Sequence, residues 1–172
     1  MKKLIVLVVV SLGMQQALAQ PATFNESTLT IPQAVLLDAE NPVYYRDVQL
    51  SDNGDGTLSV VSGEQQNLVY VESVEVLIME SLPLQVSLSV SGNLSVPCVE
   101  LLPAAVARKG NTFMVVMAET VLGPAESCIA VLEPFSTSVS LDVLGLSART
   151  YTVNVNGVLA EFTLESDNVL GL

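Results

Sequence analysis

The chain has 172 residues, 50% hydrophobic and only 14% charged, a composition that encodes a compact fold and not a disordered tail. Histidine and tryptophan are absent, which removes Ser-His-Asp and Cys-His machinery, histidine-based metal sites and any unperturbed base that titrates near neutrality. Six basic residues stand against 18 acidic ones, so phosphate backbones and anionic lipid surfaces are repelled, and nucleic acid is excluded as an expected partner.

The N-terminus reads as an export signal. Lys2 and Lys3 form a positive start, Leu4 to Val10 are continuously apolar, and Ala17-Leu18-Ala19 place small residues where a signal peptidase reads them. Cleavage after Ala19 is expected to leave Gln20 first. The apolar run falls short of the ~20 residues that span a bilayer, and Gln15-Gln16 interrupt the segment beyond it, so the exported chain is expected to carry no membrane span. No cysteine follows the small residues to take a lipid. A bacterial periplasm or exterior is the expected location. Removal of residues 1–19 leaves Arg46, Arg108, Lys109 and Arg149 as the basic side chains. The acidic excess then serves solubility and resistance to self-association, with cation binding as the alternative.

Cys98 and Cys128 survive cleavage, and an even pair in an oxidising compartment is expected to form a disulfide. The alternatives are a redox pair or a metal clip. Redox thiols sit closer in sequence, and a two-thiolate metal site needs further ligands.

From Gln20 onward aliphatic residues alternate with polar ones between frequent turn formers, which predicts an all-β chain. Strands are expected at Thr28–Ile31, Val43–Leu50 and Thr57–Val61, giving a three-stranded antiparallel unit within residues 20–66. Ser62-Gly63-Glu64-Gln65-Gln66-Asn67 holds no large apolar residue and reads as a linker. Beyond it, residues 67–172 are expected to form a second domain. Its predicted strands are Val71–Met79, Leu84–Val90, Ala104–Arg108, Thr112–Ala118, Cys128–Glu133, Val139–Leu144, Thr150–Val155 and Val158–Leu164. Ser91-Gly92-Asn93 reads as a turn, Lys109-Gly110-Asn111 as a tight hairpin, and Asn156-Gly157 as a type I′ turn whose central residues need positive φ. Evenly spaced short strands over such a span predict an immunoglobulin-like sandwich, preceded by the smaller three-stranded unit.

Leu144 to Tyr151 resembles the approach to a tyrosine corner, in which Tyr151 bonds backbone a few residues upstream. With Thr152, Val153, Val155, Asn156, Gly157, Phe162 and Leu164 after it, the last third of the chain resembles the terminal hairpin of bacterial secreted immunoglobulin-like domains. The resemblance implies a fold and a location, and structural roles for Tyr151, Asn156 and Gly157. It implies no activity. The antibody-type Cys-Trp-Cys pin is missing, so the Cys98–Cys128 bridge is expected to tie a loop to a strand instead.

Ser51 to Leu58 partly matches a calcium loop, with Asn53, Asp55 and Thr57 as candidate ligands and Gly56 at the sharp turn. The positions of the first Asp and the closing Glu hold Ser51 and Ser62, so the Asp52–Gly56 stretch is read as a β-hairpin turn, with calcium as the alternative. Glu72, Glu75 and Glu80 are the nearest approach to an acid/base set, without the aromatic platforms of sugar sites. Asn25-Glu26-Ser27 and Asn93-Leu94-Ser95 match glycosylation sequons, which carry little weight in a bacterial protein. The expected function is that of a secreted, non-enzymatic structural or binding protein without cofactor or metal, meeting an envelope partner through loops or a strand edge. The alternative is a hydrolase inhibitor presenting Val121-Leu122-Gly123-Pro124.

Overall fold

Twelve strands and no helix occur among the described residues, 21–37 and 42–170 of a computed structural model. The predicted signal peptide lies outside them. The first four strands are β1 (Thr23–Asn25), β2 (Thr28–Leu36), β3 (Val43–Asp52) and β4 (Leu58–Leu68). Then come β5 (Tyr70–Met79), β6 (Gln85–Leu94), β7 (Ala105–Lys109), β8 (Thr112–Val116) and β9 (Ala118–Glu119). The last three are β10 (Glu133–Leu141), β11 (Arg149–Val155) and β12 (Val158–Leu164).

They build three sheets. Two form a β-sandwich, ordered β10-β6-β5 and β12-β11-β8-β7. All pairs in it are antiparallel except β8 with β11, which run parallel. The strict alternation of β6 buries Val86, Leu88 and Val90 against Phe113, Val115, Tyr151, Val153, Phe162 and Leu164 of the facing sheet. Phe113, Tyr151 and Phe162 stack or tilt at ring separations of 5.4–6.0 Å in the middle of that core.

The third sheet, β1-β2-β3-β4-β9, is larger than the predicted three-stranded unit. Its strands are longer than predicted, and β1 and β9 join them. Residues 62–67, expected to be a linker, lie inside β4. A run of polar residues is compatible with a strand that faces water on both sides, and all but Gln66 of these residues are exposed. β4 pairs with β9 through Asn67↔Glu119 and Leu68↔Ala118, so the third sheet is stitched to the sandwich. Tyr44 is buried against Val116 and Ala118, with Val35, Leu102 and Ala105 around it.

Two of the three chain crossings between the third sheet and the sandwich occur at one place, the third being the loop from β9 to β10. β4 passes into β5 at Val69, and β8 passes into β9 at Met117, with Val69 N–H bonded to the Met117 carbonyl at 3.2 Å. The predicted strand Thr112–Ala118 therefore breaks at Met117, where the chain changes sheet.

Three further expectations are corrected. Ser91-Gly92-Asn93 does not turn: it lies within β6, and Gly92 lets the Tyr70 carbonyl approach where β5 carries a bulge between Val71 and Ser73. Cys128–Leu132 is a loop, not a strand. The predicted strand Val139–Leu144 starts earlier and ends earlier: β10 runs from Glu133 to Leu141, because Ser136-Thr137-Ser138 continue the ladder to β6 without contributing an apolar signal, and Asp142–Leu144 lie beyond it.

Candidate interaction surface

The residues singled out in sequence do not converge on one site. Asn53, Asp55 and Thr57 occupy the β3–β4 hairpin. There Asp52 Oδ1 accepts from Gly54 N–H at 2.8 Å, and Asp55 Oδ1 accepts from the Thr57 N–H at 2.9 Å and from its hydroxyl. Asn53 Nδ2 donates to Thr57 Oγ1 and Ser59 Oγ, both at 2.9 Å. These polar atoms are spent on the turn itself. The Thr57 hydroxyl, and after it the Thr57 N–H, hold the Asp55 carboxyl below its ordinary value.

Cys98 and Cys128 are bonded to each other, with Cα atoms 6.1 Å apart. The bridge ties the loop after β6 to the loop before β10, loop to loop and not loop to strand. Tyr151 Oη donates to the Ser147 carbonyl at 2.9 Å, the upstream backbone bond of a tyrosine corner. Asn156 and Gly157 have φ of 47° and 95° in the β11–β12 turn. Glu72, Glu75 and Glu80 are solvent-exposed, and Glu72 accepts from Asn93 Nδ2 at 2.7 Å.

What does gather in one place is apolar surface on the third sheet. Leu36 is 61% exposed, Val60 74% and Val61 61%. A trough of about 460 Å³ opens there, lined by Ala34, Leu36, Tyr45, Val48, Val60 and Gly63 among others. Gly63 keeps its floor open: a Cβ at that position would stand 3.3 Å from Val48 Cγ2. β4 flanks the trough. Among the described residues, only Asn67 and Leu68 have a partner strand on its far side, and Leu58 to Gln66 present a row of backbone N–H and C=O groups that no described strand pairs. Natural edge strands are usually blunted by lysine or proline. Leu58–Leu68 contains neither; its one charge is Glu64, and its pairing with β3 bulges at Val61, between Gln49↔Ser62 and Leu50↔Val60. Reasoning from sequence missed this surface because it assigned half of β4 to a linker; the signal available was Leu58-Ser59-Val60-Val61, whose apolar residues had no assigned partner.

A second exposed apolar group lies beside the disulfide. Ile129, Val131 and Leu132 are 67%, 57% and 60% exposed in the loop that Cys128 anchors. Val121-Leu122-Gly123-Pro124 is less available, since Leu122 packs against the main core.

A family model, the ORF11 beta-sandwich domain, matches residues 88–165, from inside β6 to just past β12. Over that span the chain is similar to a β-sandwich domain, in agreement with the two packed sheets. No curated protein and no solved structure matches the chain.

Proposed function

We propose that the chain is a secreted, non-enzymatic binding protein of the bacterial cell envelope or exterior, and that it takes its partner on the third sheet. The observation that carries this reading is the juxtaposition of the apolar trough with the unpaired edge of β4 on an otherwise acidic molecule. The N-terminal signal pattern and the Cys98–Cys128 bridge support an exported location. No helix among the described residues is long and apolar enough to cross a membrane. The acidic balance argues against nucleic acid.

Amide hydrogen exchange of the full chain, with and without a bacterial envelope extract, tests the assignment. Slower exchange confined to Leu58–Gln66 and the β2 and β3 residues beside it is expected. Exchange that is unchanged there, or slowed only in the sandwich loops, overturns it.

One observation favours a second reading, inhibition of a secreted hydrolase: a disulfide-anchored loop displays Ile129, Val131 and Leu132. Such a loop is pre-ordered for insertion into a cleft. Inhibition across a panel of extracellular hydrolases, abolished by Ile129→Asp and weakened by reduction of the bridge, is its signature.

A further inference from the structure

We propose that the free edge of β4 is completed by an extended, cationic strand from another protein, which pairs with it through the backbone. This inference rests on the assignment of binding to the third sheet and specifies the partner's chemistry. The unpaired stretch Leu58–Gln66 is long enough to dock a strand of about nine residues, each strand residue rising ~3.3 Å. β9 already occupies the track beyond it, antiparallel to β4 at Asn67 and Leu68, so an incoming strand extends a ladder that the chain has begun.

The two faces of the sheet set the side chains such a strand needs. Gly63 lies against Tyr45 and Val48 on the trough face, and its neighbour Glu64, in register with Arg46, points to the opposite face. A strand with apolar residues on one face and basic residues on the other places the first beside Val60 and the trough, and the second beside Glu64. Charge selects this partner over the others. The described residues of this sheet's segment, up to Leu68, carry Glu26, Asp47, Asp52, Asp55 and Glu64 against Arg46 alone. A second copy brings the same excess to the contact, and an anionic lipid surface is repelled in the same way.

Fluorescence anisotropy on the full chain, recovered from an oxidising compartment, tests this with three labelled nine-residue peptides: alternating Val/Lys, alternating Val/Glu, and the Val/Lys peptide N-methylated at alternate amides. The Val/Lys peptide is expected to bind at least about tenfold more tightly than Val/Glu at low salt. N-methylation keeps its charge but is expected to cost about tenfold or more, because it removes the ladder donors. Val60→Ser, at a position too exposed to disturb folding, should weaken binding severalfold with an unchanged melting temperature. Glu64→Gln should weaken it about two- to fivefold and flatten its salt dependence.

Equal binding of the N-methylated peptide shows a charge effect without strand pairing and overturns the proposal, as does equal binding of Val/Glu. A dimer by light scattering that Val60→Ser converts to monomer assigns the edge to a second copy and also overturns it. If an envelope extract protects β4 amides while no Val/Lys binding is found, the cationic strand is wrong and binding on the third sheet stands. If neither occurs, both fail.

Discussion

Asn156 is the residue whose loss should be felt furthest from its own turn. Its side chain amide donates to the Met117 carbonyl at 2.7 Å and to the Val69 carbonyl at 3.0 Å, and its Oδ1 accepts from Met117 N–H at 3.0 Å. One asparagine therefore ties the crossings at Val69 and Met117 together, and it does so from φ 47°, a conformation that asparagine tolerates and alanine resists. Asn156→Gly keeps the backbone geometry and removes all three bonds. The Met117 carbonyl still has Val69 N–H, but Met117 N–H and the Val69 carbonyl lose their partners in a setting where Met117 is 1% and Val69 4% exposed. At about 1–3 kcal/mol for each orphaned group, the expected loss is about 4 kcal/mol, or roughly 8–16 °C in Tm for a chain of this size. Asn156→Ala should cost a further ~1 kcal/mol for the left-handed backbone. Asn156→Asp retains the acceptor but sets a carboxylate against two carbonyls; its charged form is disfavoured in the fold, so its stability deficit should shrink as pH falls and the carboxyl protonates. Urea and thermal unfolding of the three variants by circular dichroism are the measurement. A glycine variant within ~0.5 kcal/mol of the parent would show that the sheets are joined without Asn156.

Gly92→Ala should fail to give soluble protein or lose more than ~4 kcal/mol, since its Cβ would lie 2.0 Å from the Tyr70 carbonyl oxygen, a backbone atom; expression and melting decide it. Burial raises the Tyr44 phenol above 10.0, against a smaller lowering by Arg46. The stability that its neutral form contributes is thus complete below pH 10.0 and lost as pH climbs from there through the higher folded value, a loss that Tyr44→Phe should abolish while costing ~1 kcal/mol for the 3.0 Å bond to the Pro103 carbonyl. Replacing Cys98 and Cys128 with alanine should cost about 3.5 kcal/mol on the chain-entropy model, given a sequence separation of 30, and unfolding with and without reductant checks it. Expressed alone into an oxidising compartment, residues 67–172 should show a cooperative thermal transition and residues 20–66 none, because every fully buried member of the main core lies between Val69 and Leu164.

The sandwich was legible wherever one face of a strand is buried and the other wet, because that asymmetry writes itself as alternation. Leu84 to Val90 and the two strands around Asn156-Gly157 are of this kind, and the structure places strands at each of them. Legibility failed where alternation is absent for a physical reason. The far half of β4 is wet on both faces except at Gln66 and so resembles a linker, and Ser136–Ser138 in β10 is too small and polar to mark a strand. Gly92 carried a double meaning: the residue that permits a tight turn also permits a carbonyl at 2.0 Å from its missing Cβ. The buried polar contacts were invisible because their partners are remote in sequence. Asn168 donates to the carbonyls of Leu84 and Val143, both at 3.0 Å, and accepts from Leu84 N–H at 2.7 Å. Glu119, 2% exposed, accepts from Ser95 N–H at 2.8 Å.

The same asymmetry explains why the exposed apolar surface falls on the third sheet. Two sheets that face each other satisfy one another, and the sandwich does so with a core drawn from its own strands and the loops between them. Among the described residues, no sheet packs across the trough face of the third sheet. That sheet is anchored at one corner, through Tyr44, the short β4–β9 ladder and the crossings at Val69 and Met117; Val60 and Val61, toward its far end, reach into solvent, and Leu36, beside the anchored end, is exposed as well. Stability alone gives no reason to keep large aliphatic side chains there, since a polar residue at an exposed strand position folds as well. Their presence beside an edge that holds neither lysine nor proline, on a chain whose acidity otherwise guards it against self-association, is what makes this sheet the place to look for a partner.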